Sequence, residues 1–165
     1  MEALKFRLVS PAWSKSPQWA FAFPALRFIP RNRGNFCVIV RRGEVIARGN
    51  NRVTSTNDPT AHAEITAIRE ACKSLKTFSL ADCELYTNCE PCPMCLAAAY
   101  WARIPTLYYA NTRLDAAAIG FDDDFIYEQI PLPTEKRALA MRPLLRDEAL
   151  EVFREWQAKP DKLKY

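Results

Sequence analysis

Two short runs of apolar and β-branched residues, Phe36-Cys37-Val38-Ile39-Val40 and Glu44-Val45-Ile46-Ala47-Arg48, are joined by Arg41-Arg42-Gly43. That pattern predicts a β-hairpin. Further on, Ala61, Ile65, Ile68, Cys72 and Leu75 recur at intervals of 4, 3, 4 and 3, which predicts a helix buried along one side. Asn57-Asp58-Pro59-Thr60 precedes it and supplies capping residues. Residues 83–87 and 106–110 read as strands. Between them, Pro91 opens a stretch of strong helix formers that runs to Ala102. Strand, helix and strand in this order imply parallel pairing with a right-handed crossover. Residues 114–119 and 125–130 read as short helical pieces and 138–145 as a fifth strand. Residues 147–158 form an amphipathic pattern with Leu150, Phe153 and Trp156 at intervals of 3.

Together these elements predict an α/β fold, a three-layer α/β/α sandwich around a mixed five-stranded sheet. With 165 residues, no internal repeat and no linker, the chain reads as a single domain, 1–165. Residues 1–35 fit no element. They mix Pro11, Pro17, Pro24 and Pro30 with Trp13, Trp19, Phe21, Phe23 and Phe28 and show no clean period. The prolines limit any helix, and the aromatics argue against full disorder.

Composition narrows the class without naming a function. Apolar content of 49% and charged content of 25% are ordinary globular values. No apolar run approaches the ~20 residues of a membrane span, and the first residues lack the apolar core of a signal peptide. A cytoplasmic location is expected. The net charge of +4 is uneven, +7 over residues 1–60 and −3 over the remainder. A basic half could touch nucleic acid, but no Lys/Arg block of five or more occurs. A solvated surface explains the charge equally well.

The chemistry concentrates in His62-Ala63-Glu64 and, 28 residues later, Cys92-Pro93-Met94-Cys95. These supply three metal ligands and one acid that is not a ligand. Structural zinc sites close with four protein ligands, whereas catalytic ones keep three and leave a position open. Cys92 and Cys95 would share one face of a first helical turn, where free N–H groups and the helix dipole favour thiolates. His62, the sole histidine, would open the other helix. The alternative is a closed structural site, since Cys89, Cys92 and Cys95 form a Cys-x-x-Cys-x-x-Cys run. Cys89, however, lies before the helix and need not point the same way. Cys37, Cys72 and Cys83 sit in apolar segments as small hydrophobes, with no disulfide framework, which suits a reducing compartment.

His-x-Glu with Pro-Cys-x-x-Cys is the zinc-deaminase signature. The chain resembles the cytidine-deaminase-like superfamily and, within it, the small bacterial guanine deaminases. The narrower likeness runs through Asn57 to Glu64, Cys89 to Cys95, Tyr100-Trp101-Ala102-Arg103, Gly120-Phe121-Asp122-Asp123 and the ending Lys164-Tyr165. It spans about Val38 to Tyr165. At the front the chain departs from it, because Gly34-Asn35-Phe36-Cys37 replaces the usual Pro-Phe-Gly-Ala-type entry.

The resemblance implies zinc on His62, Cys92 and Cys95, with Glu64 as the proton carrier. It implies that Asn51 and Asp123 hydrogen-bond a purine and that Trp101 and Tyr165 help enclose it. It further implies a domain-swapped homodimer in which the C-terminal helix and tail, about 146–165, cover the partner's site. The substrate would be a small purine base rather than nucleic acid, and guanine would give xanthine and ammonia. Guanosine, or adenosine in tRNA, is the alternative substrate within the superfamily. Guanine also has chemistry in its favour. A ring N1–H lies beside its reacting C2 and suits an accepting carboxylate such as Asp123. Adenine and cytosine present an acceptor there and would leave that carboxylate poorly paired. Taken as isolated residues, Asn51 also reads as a turn residue, Asp122-Asp123-Asp124 as a solvated helix cap and Trp101 as core.

Overall fold

The computed structural model describes residues 34–121 and 123–163. The segment 1–33, Asp122, Lys164 and Tyr165 lie outside them. Strands β1 (Phe36–Arg41) and β2 (Glu44–Asn50) form the expected hairpin, in antiparallel register. Arg42 and Gly43 both take positive φ, 51° and 82°, as the tight two-residue turn matching strand twist requires. Helix α1 (Val53–Thr56), absent from the sequence reading, leads into α2 (Ala63–Leu75). Strand β3 (Cys83–Cys89), helix α3 (Pro93–Trp101) and strand β4 (Thr106–Asn111) follow as a parallel crossover unit. Short helices α4 (Arg113–Ala118) and α5 (Asp123–Gln129), then α6 (Arg146–Ala158), complete the described chain.

The sheet is mixed, in the order β2-β1-β3-β4, and has four strands among the described residues rather than five. Residues 138–145, expected to be the fifth, run as irregular and wholly exposed chain. Pro143 has no N–H to give a ladder, and Leu145 takes a left-handed φ of 51°. No helix of the described residues is long and apolar enough to cross a membrane.

One face of the sheet carries Cys37, Ile39, Ala47, Cys83 and Leu85, packed against Ala63, Ala67 and Ala71 of α2. On the opposite face Val38, Val40 and Tyr86 cluster with Val45 and Tyr108, whose ring stacks on Tyr86 at 4.6 Å between neighbouring strands. The expected stripe of α2 is buried at Ala61, Ile65 and Ile68 and partly so at Cys72 and Leu75, but the face pressed on the sheet is shifted to Ala63, Ala67 and Ala71.

Gly49 explains this shift. A Cβ built there would lie 2.0 Å from the Ala63 carbonyl oxygen and 2.6 Å from the Ala67 nitrogen. The helix backbone therefore rests directly on β2, and only glycine below and alanine above permit that approach. The contact fixes the start of α2, where His62 and Glu64 sit. Both obstructing atoms are backbone, so rotamer adjustment cannot relieve the clash. Gly49→Ala should destabilise the fold by about 1–3 kcal/mol through overpacking, read as a lowered midpoint in urea unfolding. A midpoint equal to wild type would show that the helix is not seated this tightly.

Candidate metal centre and active site

Two helices begin at the site. His62 is the N-cap of α2 and Cys92 the N-cap of α3, and neither side chain makes a capping bond. Helix α3 starts at Pro93, two residues later than expected, so Cys92 precedes the first turn and Cys95 occupies its third position. The N-cap and the third helical position are the pair that ordinarily meet in a capping box. Here they present two sulfurs to one point. Nor do the capping residues expected before α2 cap it. Instead Asp58 Oδ1 accepts from the Thr60 amide and hydroxyl at 2.8 and 2.7 Å, folding the loop on itself.

The ligand atoms of His62, Cys92 and Cys95 lie within 4.8 Å of one another. His62 Nδ1 is 3.6 Å from Cys92 Sγ. Tetrahedral zinc with ordinary bond lengths separates a nitrogen and a sulfur ligand by roughly 3.5–3.6 Å. The donor set of one imidazole and two thiols suits zinc and leaves a fourth position for solvent or substrate. Cys89 ends β3, buried, and is not part of this group among the described residues. Burial chiefly, with Asp123 and Glu64 nearby, raises its thiol above the ordinary range.

The two cysteine ligands differ electrostatically. Contact with the Cys95 side chain, assisted by His62, lowers Cys92 to about 4 despite burial. Cys95 is raised, first by that same contact and then by burial and Glu64. The Cys92 bond also raises His62, with Glu64 and Asp123 adding to the effect.

Glu64 lies in the first turn of α2, only 5% exposed. Its Oε2 stands 3.4 Å from Cys95 Sγ and its Oε1 accepts from Thr87 Oγ1 at 2.8 Å. Asp123 opens α5 and is near enough to raise both His62 and Cys89. That helix is tied to the ligand loop by Tyr127, whose hydroxyl donates to the Pro91 carbonyl at 2.8 Å. The Arg113 guanidinium covers the Tyr127 ring at 4.9 Å, while the Arg113 amide donates to Glu90 Oε2 at 2.9 Å. Asn51 Oδ1 accepts from the Val53 amide at 3.1 Å, and the Asn51 amide donates to the Asn35 carbonyl at 2.9 Å. Trp101 ends α3, 61% exposed. Nine residues of helix place its Cα about 13 Å along the axis from Cys92.

Gly49, Thr87 and Tyr127 were not picked out from the sequence. Two left a signal. Gly49 interrupts a strand, which often marks close backbone approach. Thr87 is the polar member of an inward series formed with Cys83, Leu85 and Cys89. Tyr127 left none, because its partner is a main-chain carbonyl 36 residues away.

Zinc must displace the Cys95 proton and any on His62, so uptake should release protons and apparent affinity should rise with pH across neutrality. The rise is about tenfold per pH unit for each proton released. Calorimetric titration in buffers of different ionisation enthalpy measures it, and a pH-independent affinity would contradict the unequal cysteines. Cys89→Ser should retain one zinc per chain by atomic absorption, whereas Cys92→Ser should not.

Known proteins resemble this chain. Residues 31–111 match the cytidine and deoxycytidylate deaminase zinc-binding region. Guanine deaminase of Bacillus subtilis (strain 168) is 52% identical over 128 residues, covering 78% of this chain and 82% of that protein. The X-ray structure of guanine deaminase from Bacillus subtilis superposes with a TM-score of 0.78 at 47% identity, covering 88% of this chain and 92% of the other. A crystal structure in complex with 8-azaguanine aligns at 30% identity and TM-score 0.58, covering 87% and 85%. A tRNA-specific adenosine deaminase from Aquifex aeolicus is 47% identical, but only over 44% of this chain and 48% of its own length. The His62, Cys92 and Cys95 cluster, the buried acid and a likeness over most of the chain agree, and the chain belongs to the zinc-dependent cytidine and deoxycytidylate deaminase family, with the guanine deaminase of Bacillus subtilis as a relative.

Proposed function

We propose that the protein hydrolyses guanine to xanthine and ammonia, a step of purine metabolism. The observation that carries this reading is Glu64, buried and held with one carboxylate oxygen 3.4 Å from a ligand sulfur, in a chain 52% identical to a guanine deaminase. His62, Cys92 and Cys95 would hold the zinc, which would supply a Lewis acid able to acidify the attacking water. Glu64 takes one proton from this water and delivers it to guanine N3 as oxygen adds to C2. It then carries the second proton to the departing amine. Ammonia leaves, C2 becomes a carbonyl, and atoms balance with one water consumed.

Asp123, beside His62 at the start of α5, accepts from the purine N1–H, and Tyr127 fixes its helix against the ligand loop. Asn51 binds the purine with its side-chain amide N–H, its carbonyl oxygen already turned to Val53. Trp101 and Tyr165 help enclose the site, and a second subunit supplies the tail. Support for this domain-swapped homodimer comes from α6, which buries none of its residues although Phe153 and Trp156 are large and apolar. Leu144, Phe121, Phe125 and Ile130 extend the exposed apolar surface, more than a solvated monomer ordinarily presents. Within the dimer the sheet is the centre of a three-layer α/β/α sandwich. Six free cysteines suit a reducing, cytoplasmic setting.

Ammonia release from free guanine, guanosine and a tRNA anticodon hairpin tests the substrate. Activity should be confined to guanine and depend little on salt. Turnover only of the hairpin, falling steeply with salt, would assign the chain to RNA instead. Glu64→Gln should keep its zinc and lose at least about 100-fold in kcat, as expected for a general acid–base. A variant within tenfold of wild type would refute the role given to Glu64. Phe153→Glu with Trp156→Glu should yield monomers by light scattering; a dimer that survives the pair would remove α6 from the interface.

A further inference from the structure

We propose that Thr87 is a positioning residue that assigns separate tasks to the two oxygens of Glu64, anchoring Oε1 to the sheet so that Oε2 carries the proton. The inference rests on Glu64 being the proton carrier and deepens that reading. Thr87 lies on β3 opposite Cys37 of β1, in the middle of the sheet, and is 5% exposed. Its hydroxyl has one proton and two acceptors in reach, Glu64 Oε1 at 2.8 Å and the Phe36 carbonyl at 3.2 Å. A carboxylate is the stronger acceptor, and the shorter distance agrees. The remaining oxygen, Oε2, faces the Cys95 sulfur at 3.4 Å and therefore the ligand cluster.

Glutamate is a long side chain with three rotatable bonds. Two residues beyond a ligand, it could bind the metal or turn away from the substrate. A hydroxyl on a rigid strand selects one orientation, in keeping with the rule that reacting groups need support from packed neighbours. Thr87 also has an alternative partner. When Glu64 is protonated, the hydroxyl can turn its proton to the Phe36 carbonyl, so neither state strands a buried donor.

Thr87→Val keeps the shape and removes the hydroxyl, and Thr87→Ser keeps the hydroxyl. Thr87→Val should lower kcat about tenfold to hundredfold, the scale of losses from sub-ångström misplacement. Its KM should stay within about threefold and one zinc should be retained. Thr87→Ser should restore most of the rate. In a Glu64→Gln background Thr87→Val should cost less than about threefold, because its effect passes through the carboxylate. Crystals of zinc-free Thr87→Val should show the Glu64 carboxylate displaced or in several rotamers. If the valine variant does not fold, Thr87→Ala serves the same comparisons. Wild-type kcat in the valine variant would overturn the proposal. So would an undiminished loss on the Glu64→Gln background, which assigns Thr87 a structural role and leaves the Glu64 assignment standing.

Discussion

Every helix start leaves N–H groups unbonded and a positive end of the backbone dipole exposed. In this protein two such starts face each other, and their N-cap residues, His62 and Cys92, make no capping bond and join Cys95 in a group that could hold a metal. Cys95 joins from the third position of α3, and Glu64 follows His62 by two residues. All four groups thus lie within one helical turn of an N-cap. Local helix geometry sets their spacing, and the packing of α2 and α3 sets their separation.

That packing depends on how closely α2 rests on the sheet. Gly49 and the alanines at 63, 67 and 71 let the backbones approach until no Cβ would fit. β3 contributes twice. It feeds the loop that carries Cys92, and it offers Thr87 to the carboxylate. The functional groups gather at the carboxyl end of the parallel pair β3 and β4, where α/β sheets commonly bind ligands. On the outer side, α5 is fastened to the loop by Tyr127, so Asp123 and the metal ligands share one frame.

Much of this was legible in the residues. The hairpin, both metal-binding helices, the parallel crossover and the late amphipathic helix follow from local periodicity and turn chemistry. The ligand triad and Glu64 follow from spacing. Where legibility failed, the cause was contact between distant segments or a local breaker outweighed by its context. Residues 138–145 read as a strand, yet Pro143 and the left-handed Leu145 lie inside them. Asp58 does not cap α2, because His62 takes the N-cap position and Asp58 bonds its own loop. The anchoring of Glu64 by Thr87 joins residues 23 apart through the sheet register, and no periodic signal encodes it. The substrate roles proposed for Asn51, Asp123, Trp101 and Tyr165 rest on the family likeness, and Asp123 is also near enough to His62 to raise it.

The account stands on an open coordination position beside Glu64. X-ray absorption at the zinc edge of the loaded protein measures the coordination shell most directly. Two sulfurs at about 2.3 Å with two lighter ligands, one of which changes on adding 8-azaguanine, is the expected shell. Three sulfurs, with a spectrum indifferent to the purine, would mean that Cys89 closes the shell and that the site is structural.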